Sequence, residues 1–179
     1  MAWAAAFALL SWGLKQEVRQ FSPQPRQLED IALHLAAGGL VGWLAGRQAL
    51  ARLGMLLSIG LDADHLGAAL GLHVFSRGGH AAIFFLMSCL LFWLLGARRI
   101  LRAAPPLLLA LLVGAACLAH IGTDALIGEG DIPIWAPFSW KFVRFDHVQG
   151  AILLAGAAGL ALWGGLWGRW EAGRTRRDG

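Results

Sequence analysis

The chain has few charged residues and no tyrosine. Only 15% of its 179 residues are charged, whereas 58% are hydrophobic, and the mean hydropathy is +0.60. A soluble domain of this length usually carries about a quarter charged residues. The composition therefore argues against a soluble enzyme domain and predicts an integral membrane protein. The length predicts one membrane-embedded domain, residues 1–179, rather than two.

Cysteine is also scarce, and the two cysteines, Cys89 and Cys117, lie inside apolar stretches. We expect them to be small packing residues rather than a disulfide or metal ligands. Tryptophan is abundant by contrast, with nine residues, several of them near segment ends where amphipathic rings favour the headgroup zone. The net charge of +4 comes mostly from arginine clusters. In a membrane protein these indicate topology and contact with anionic lipids, not nucleic-acid binding.

Apolar segments alternate with polar turns, which predicts an all-α fold: a polytopic membrane bundle of about four to six helices with a polar site at its outward ends. Residues 1–30 should form a short helix and a polar loop in which Pro23 and Pro25 break any helix. The helical core should cover residues 31–168, and a basic tail 169–179. The predicted core helices are 31–45, 53–61, 81–97, 105–126 and 148–167.

Two of the apolar segments fall well short of the ~20 residues that a straight helix needs to cross the hydrocarbon. Residues 2–14 could form a thin first span or an interfacial helix. Segment 53–61 could be half-buried, could continue from residue 48, or could end inside the bundle at the site.

Arginine marks one set of helix ends. Nine of the 15 basic residues lie there: Arg47, Arg52, Arg98, Arg99, Arg102, Arg169, Arg174, Arg176 and Arg177. The positive-inside bias makes these turns and the C-terminus cytoplasmic. The opposite ends, which carry all six histidines, then face outward, and in a bacterium this is the periplasmic side of the inner membrane.

His120 and Asp124 are four residues apart on a predicted helix, so their side chains project from one face. This spacing suits two ligands of one metal, or a ligand and the residue that orients it. The alternative is a hydrogen-bonded pair between helices. Ionisable residues at the end of an apolar span are usually functional, because they are costly there.

Asp62, Asp64 and His65 are three candidate metal ligands at the end of an apolar run, and a carboxylate there could bridge two ions. The alternative is a polar helix cap, since aspartate favours that position.

His34 lies one turn into the first long span, where it is either a further ligand or a satisfied core histidine. Asp146-His147, before the last span, could supply a ligand or a proton shuttle.

The connection 66–80 carries His73, Arg77 and His80. The histidines are candidate ligands, and the planar guanidinium of Arg77 suits bidentate binding of phosphate oxygens. The alternative is a solvated loop with ordinary surface groups. A later loop carries Trp135, Pro137, Phe138 and Trp140; we interpret it as an interfacial anchor that could also line the entrance for a lipid chain.

Taken together, these motifs resemble those of the YdjM-like family of bacterial inner-membrane metal-dependent hydrolases. His34–Gly38 resembles an early His-x-x-x-Gly, and Leu61–His65 resembles Pro-Asp-x-Asp-His with the proline replaced. Ser76–His80 resembles part of His-Arg-Gly-x-Thr-His. His120–Ile127 and Gly130–Ser139 resemble His-Leu-Leu-Leu-Asp-x-Leu-Thr and the Gly-Val-Pro-Leu-Leu-Trp-Pro-Phe-Ser that follows it.

The third motif is altered. It lacks the leading histidine, for which His73 could stand in, and its arginine-to-histidine spacing is one residue shorter. The resemblance covers about residues 31–140. It implies a metal-dependent hydrolase, distantly similar to the zinc-dependent phospholipase C and single-strand nuclease group, which cleaves phosphate esters.

We therefore expect a divalent metal, Zn²⁺ above all because imidazole and carboxylate ligands suit it, with the number of ions open. The expected ligands are Asp62, Asp64, His65, His80, His120 and Asp124, with His34, His73, Asp146 and His147 as possible additions. Catalytic roles are expected for Arg77, Asp64 and His80. The expected partners are membrane lipids, and the expected substrate is a lipid or lipid-linked phosphate ester at the outer membrane face. The alternative function is a non-enzymatic metal-binding, transport or structural membrane protein.

Overall fold

The computed structural model describes residues 25–46, 48–61, 80–98, 104–128, 131–136, 138–139 and 141–175. The expected helix or span at residues 2–14 lies outside these residues. The described chain is mostly helical, which confirms the all-α prediction. Its five helices are α1 (Pro25–Leu44), α2 (Gln48–Gly60), α3 (Ala82–Ala97), α4 (Pro106–Ile127) and α5 (His147–Thr175).

The chain divides into a first unit, Met1–Ala32, and a second unit, Leu33–Gly179. In the first unit the described residues form the opening turns of α1. This helix begins at Pro25 rather than near residue 31, so Pro25 does not break it. Proline is tolerated at the first helical position because its missing N–H would have no intrahelical partner there.

Local signals fix both ends of α4. Pro106 occupies its first turn, and Gly128 ends it with a left-handed φ of 91°, donating its backbone N–H to the carbonyl of Asp124. Glycine adopts this conformation without steric cost, which makes it the usual residue after a helix. Because α4 ends here, His120 and Asp124 lie in its last two turns.

Helix α4 is the centre of the second unit and packs against α5, α3 and α2. Its apolar face, which includes Leu108, Leu112 and Ala115, forms the main core with Ala157 and Ala161 of α5. Residues from α1, α2 and the turn between them complete this core: Val41, Ala45 and Leu50. Cys117 packs with Leu61 and Val113, as expected of a small packing residue.

Glycines allow α1 and α2 to pack closely as an antiparallel pair. A Cβ placed on Gly38 would collide with the carbonyl oxygen of Gly54, and one on Gly42 would collide with the carbonyl of Leu50. Small residues at such contacts let helix backbones approach each other, as is common between membrane helices. Helix α2 does continue from Gln48, one of the possibilities for segment 53–61.

A short antiparallel pair of strands, β1 (Asp131–Ile132) and β2 (Val143–Arg144), interrupts the connection between α4 and α5. Helix α5 begins one residue before the predicted 148–167 segment and runs eight residues beyond it, ending at Thr175. The first part of the predicted basic tail is therefore helical. Arginine does not break a helix, and Arg174 in the last turn favours the negative end of the helix dipole.

Two of the described helices are long and apolar enough to cross a membrane: Pro106–Ile127 and His147–Arg174. The other apolar helices are shorter, at Ile31–Leu44, Gln48–Gly60 and Ala82–Ala97. The described helices therefore contain two candidate spans by length and composition.

A candidate metal centre of buried histidines and an aspartate

Four ionisable side chains meet at one end of α4. His120 and Asp124 come from α4 itself, His34 comes from α1, and His80 comes from the turn before α3. All four are buried, with His120 fully enclosed and Asp124 only 6% exposed. Together they form the histidine–aspartate cluster.

The ring nitrogens of the cluster converge on one carboxylate. His34 Nε2 lies 2.9 Å from Asp124 Oδ1, and His80 Nε2 lies 3.3 Å from Oδ2. His120 Nε2 lies 3.7 Å from the same Oδ2, and it lies 3.0 Å from His80 Nε2. The Nε2 atoms of three histidines therefore face the two carboxylate oxygens of Asp124.

The imidazole rings also contact one another. The ring centroids of His34 and His120 are 4.0 Å apart with the planes inclined by 36°, and those of His80 and His120 are 4.9 Å apart, inclined by 55°. His120 therefore occupies the middle of the cluster, between the histidines that α1 and the turn before α3 provide.

Helix packing brings these residues together. The four-residue spacing of His120 and Asp124 puts them on one face of α4. Gly38, one turn after His34, lets α1 approach α2, and α1 reaches the core of α4 through Val41. The backbone N–H of Ala82, two residues after His80, donates to the carbonyl of Ile134 at 2.9 Å. This bond ties the start of α3 to the loop beyond α4.

Asp124 is the only acidic side chain among the buried residues of the described chain. A buried carboxylate without partners would be strongly unfavourable, and three imidazoles surround this one. The imidazoles must therefore share protons with the carboxylate or, when deprotonated, share a cation with it.

Three members of the cluster meet a spacing criterion for a metal site. One ligand atom from each of His34, His120 and Asp124 can be chosen so that all three lie within 4.8 Å of one another, and such a group could hold a metal ion. Tetrahedral zinc with ligand bonds of about 2.0–2.1 Å separates neighbouring donor atoms by about 3.3–3.4 Å. The separations of 2.9, 3.3 and 3.7 Å around Asp124 bracket that value.

The structure brings the expected ligands His80, His120 and Asp124 together, and it adds His34, which the sequence analysis gave as a possible additional ligand. Other candidates lie outside the described residues: Asp62, Asp64, His65, His73 and Arg77.

Asp146 and His147 are exposed at the start of α5. The Asp146 carboxylate accepts a hydrogen bond from the backbone N–H of Gln149 at 2.8 Å, and the Gln149 side chain accepts one from the Asp146 N–H at 3.0 Å. This reciprocal arrangement is a capping box. Asp146 therefore has a structural role at the helix start.

Sequence reasoning missed Ser58, a fully buried serine of α2 that lies against Gly38. Its hydroxyl has no hydrogen-bond partner in the described part of the chain. Its position four residues before Asp62, on the α2 segment that leads to the predicted ligands, was the signal that could have found it. Thr123, also buried, donates its hydroxyl to the carbonyl of Ala119 at 2.8 Å, which satisfies it within α4.

The family models, the curated proteins and the solved structures compared with this chain gave no match. A function for this chain therefore has to be inferred from the geometry of the site and from the sequence motifs.

Proposed function

We propose that this protein is a membrane-embedded, metal-dependent hydrolase of the YdjM-like family, acting on a lipid or lipid-linked phosphate ester at the outer face of a bacterial cytoplasmic membrane. The observation that carries the proposal is the convergence of three histidine nitrogens on the Asp124 carboxylate within a buried end of the bundle. Ionisable side chains are energetically costly in an apolar bundle, and they usually mark a functional site.

His34, His120 and Asp124 would hold the metal, and zinc suits this mixture of imidazole and carboxylate. When bound, such a cation supplies Lewis acidity and activates water near neutral pH. Catalytic zinc sites use three protein ligands and keep one position open. The three-residue group fits that count and leaves His80 to hold a proton beside Asp124 Oδ2, at 3.3 Å.

The remaining roles belong to the motifs between α2 and α3. Arg77 would bind the phosphoryl oxygens and stabilise their negative charge. Asp62, Asp64 and His65 would provide a second set of ligands, with Asp64 in contact with the reacting group. These roles rest on the motif resemblance and on the chain order, since the motifs lie between α2 and His80 of the cluster.

The position of the cluster supports an enzyme at a membrane surface rather than a transporter. Transport sites need polar residues near mid-membrane on several helices. Helix α3 contains no acidic, basic or histidine residue, and neither does α5 between His147 and Arg169. The cluster lies at one end of α4, and the Arg169 guanidinium lies at the opposite end, beside the Gly46 turn. With the arginine ends cytoplasmic, the cluster faces the periplasm.

A second candidate function is a purely structural metal site. Each of the four side chains contacts at least two of the others, and a closed set of four ligands is typical of structural zinc. In that case His80 would be a ligand and its removal would release metal. If His80 acts on protons instead, its removal would abolish turnover and leave the metal bound.

Elemental analysis of the purified protein tests the metal. We expect bound zinc that is lost in His120→Ala and retained in His147→Ala, because His147 is exposed outside the cluster. A metal-free protein after growth with added zinc would contradict the proposal.

Incubation with a panel of phospholipids and lipid-linked phosphates tests the reaction. Product should form with the unmodified protein and should be lost in Arg77→Gln and His80→Gln. A metal-loaded protein that turns over no member of the panel would favour the structural site.

A further inference from the structure

The connection between α4 and α5 carries exposed aromatic side chains on a buried base. We define its described residues, 131–136, 138–139 and 141–144, as the aromatic loop. At the base, Ile132 and Ala136 are buried, whereas Trp135, Phe138 and Phe142 are 63%, 86% and 56% exposed. Apolar side chains of this size on the outside of a folded loop mark an interaction surface.

Hydrogen bonds hold these aromatic residues outward. The strand pair closes the loop. Within it, the N–H of Ala136 donates to the carbonyl of Pro133 at 3.0 Å, and the N–H of Ser139 donates to the carbonyl of Trp135 at 2.9 Å. The bond from Ala82 to Ile134 ties the loop to the start of α3, two residues from His80. The exposed rings therefore belong to a folded turn attached beside the histidine–aspartate cluster.

The helices next to the aromatic loop also carry exposed apolar side chains. Val148 and Ile152 on α5 are 68% and 64% exposed, and Phe84 in the first turn of α3 is also exposed. Helix α5 is one of the two candidate membrane spans. Exposed apolar side chains thus lie both on the aromatic loop and on the candidate span that follows it in the chain.

The loop also carries an exposed cation that is adjacent to one of the rings in the chain. Lys141 is exposed between Phe138 and Phe142 in the chain. Aromatic rings favour the headgroup zone of a bilayer, and lysine can leave its stem in apolar surroundings while its ammonium reaches lipid phosphates. The other cation of the loop, Arg144, lies opposite Asp131 in the strand pair. Lys141 is therefore the cation that lies nearest to the aromatic residues along the chain.

We propose that the aromatic loop inserts into the headgroup layer of a phospholipid bilayer and holds the histidine–aspartate cluster at that depth. This contact depends on the exposed rings and Lys141 and does not depend on metal binding or hydrolysis. It assigns a phospholipid surface, rather than a second protein, as the partner of the loop.

Spin labelling in vesicles measures the depth of the loop. In a Cys89→Ala/Cys117→Ala background, Phe138→Cys would carry a nitroxide in phosphatidylcholine–phosphatidylglycerol vesicles. Ile152→Cys is the membrane reference and Ala172→Cys the aqueous reference. The ratio of collision with oxygen to collision with a water-soluble nickel chelate is the readout. We expect the ratio at position 138 to be higher than at position 172 and lower than at position 152, as for a side chain at headgroup depth.

A ratio at position 138 equal to that at 172 would overturn the proposal, since the loop would then lie in water. Strong spin–spin broadening between labels would also overturn it, because a second copy of the chain would then cover the loop. Trp135→Cys provides the same readout if the label at 138 prevents folding. Zinc content, measured on the same samples, separates this outcome from a failure of the metal proposal.

Discussion

Helices α4 and α5 are both long and apolar enough to cross a membrane, yet their surroundings differ. In the most apolar stretch of α4, 67% of the residues are buried within the protein, against 28% in α5. The residues that α5 does bury are all glycine or alanine, including Gly150, Ala157 and Gly164. Several of its large side chains, including Trp163 and Leu166, are exposed, whereas Leu154 and Leu160 are half-buried against the core.

This difference explains where the site lies. A polar side chain in an apolar bundle needs partners from other helices, and α4 has neighbours on several sides. It can therefore carry His120 and Asp124 opposite His34 and His80. Helix α5 packs against α4 with a face rich in glycine and alanine, and its outward face is apolar. The two helices thus separate two functions, holding the site and contacting the surroundings.

Removal of the Asp124 charge should have the largest effect. Asp124→Asn keeps the side-chain size but removes the one buried carboxylate of the cluster. We expect zinc affinity to fall by more than about 100-fold, the upper end for loss of an outer-shell partner, because a direct ligand is lost. Competition with a metal chelator measures this.

Asp131→Asn is the matched control, since Asp131 is exposed at the strand pair. It should leave zinc affinity unchanged. Equal zinc affinity in the two variants would show that the cluster is only a hydrogen-bonded network.

Leucine truncation tests the burial difference directly. Leu112 on α4 is fully buried, and Leu166 on α5 is 59% exposed. Leu112→Ala should lower the free energy of unfolding by about 2 to 5 kcal/mol through lost packing and a cavity. Leu166→Ala should change it by less than about 0.5 kcal/mol, as for most surface substitutions.

Unfolding in mixed micelles with increasing denaturing detergent measures both leucine variants. A comparable loss in the two would mean that α5 is covered by something other than lipid or detergent, and the comparison between the helices would then fail.

Two glycine-to-alanine substitutions should change the free energy of unfolding in opposite directions. A Cβ at Gly122 of α4 would lie 2.9 Å from the carbonyl oxygen of Gly150, whereas a Cβ at Gly159 of α5 would meet nothing within 4 Å. Gly122→Ala should therefore destabilise the fold by about 1 to 3 kcal/mol through overpacking. Gly159→Ala should stabilise it by about 0.5 to 1 kcal/mol, because alanine loses less entropy in a helix. The same unfolding assay reports both, and destabilisation by Gly159→Ala would place a neighbour on that face of α5.

Where a local signal exists, the sequence alone predicted the fold closely. Segment 105–126 was predicted and Pro106–Ile127 observed, because proline opens this helix and Gly128 ends it. The pairing of His120 with Asp124 follows from helical spacing in the same way.

Features that depend on tertiary contacts were harder to predict. The position of His34 depends on how closely α1 approaches α2 at Gly38, which no local pattern reveals. Strands of two residues are too short to show a hydrophobic periodicity, so the sequence analysis missed the strand pair at the base of the aromatic loop. The end of α5 was placed too early because a run of charges marks the membrane boundary but does not stop a helix.

A modest effect should come from the start of α5, where a hydrogen-bonded polar cap rather than burial stabilises the helix. Asp146 accepts a hydrogen bond from the Gln149 N–H and is exposed. Asp146→Ala should therefore cost about 1 kcal/mol, the usual value for losing a capping side chain. His147→Ala, one residue further, should cost less. Both variants should retain zinc, since neither residue lies in the cluster. Loss of zinc in Asp146→Ala would mean that α5 supplies a ligand, and the separation of functions between α4 and α5 would no longer hold.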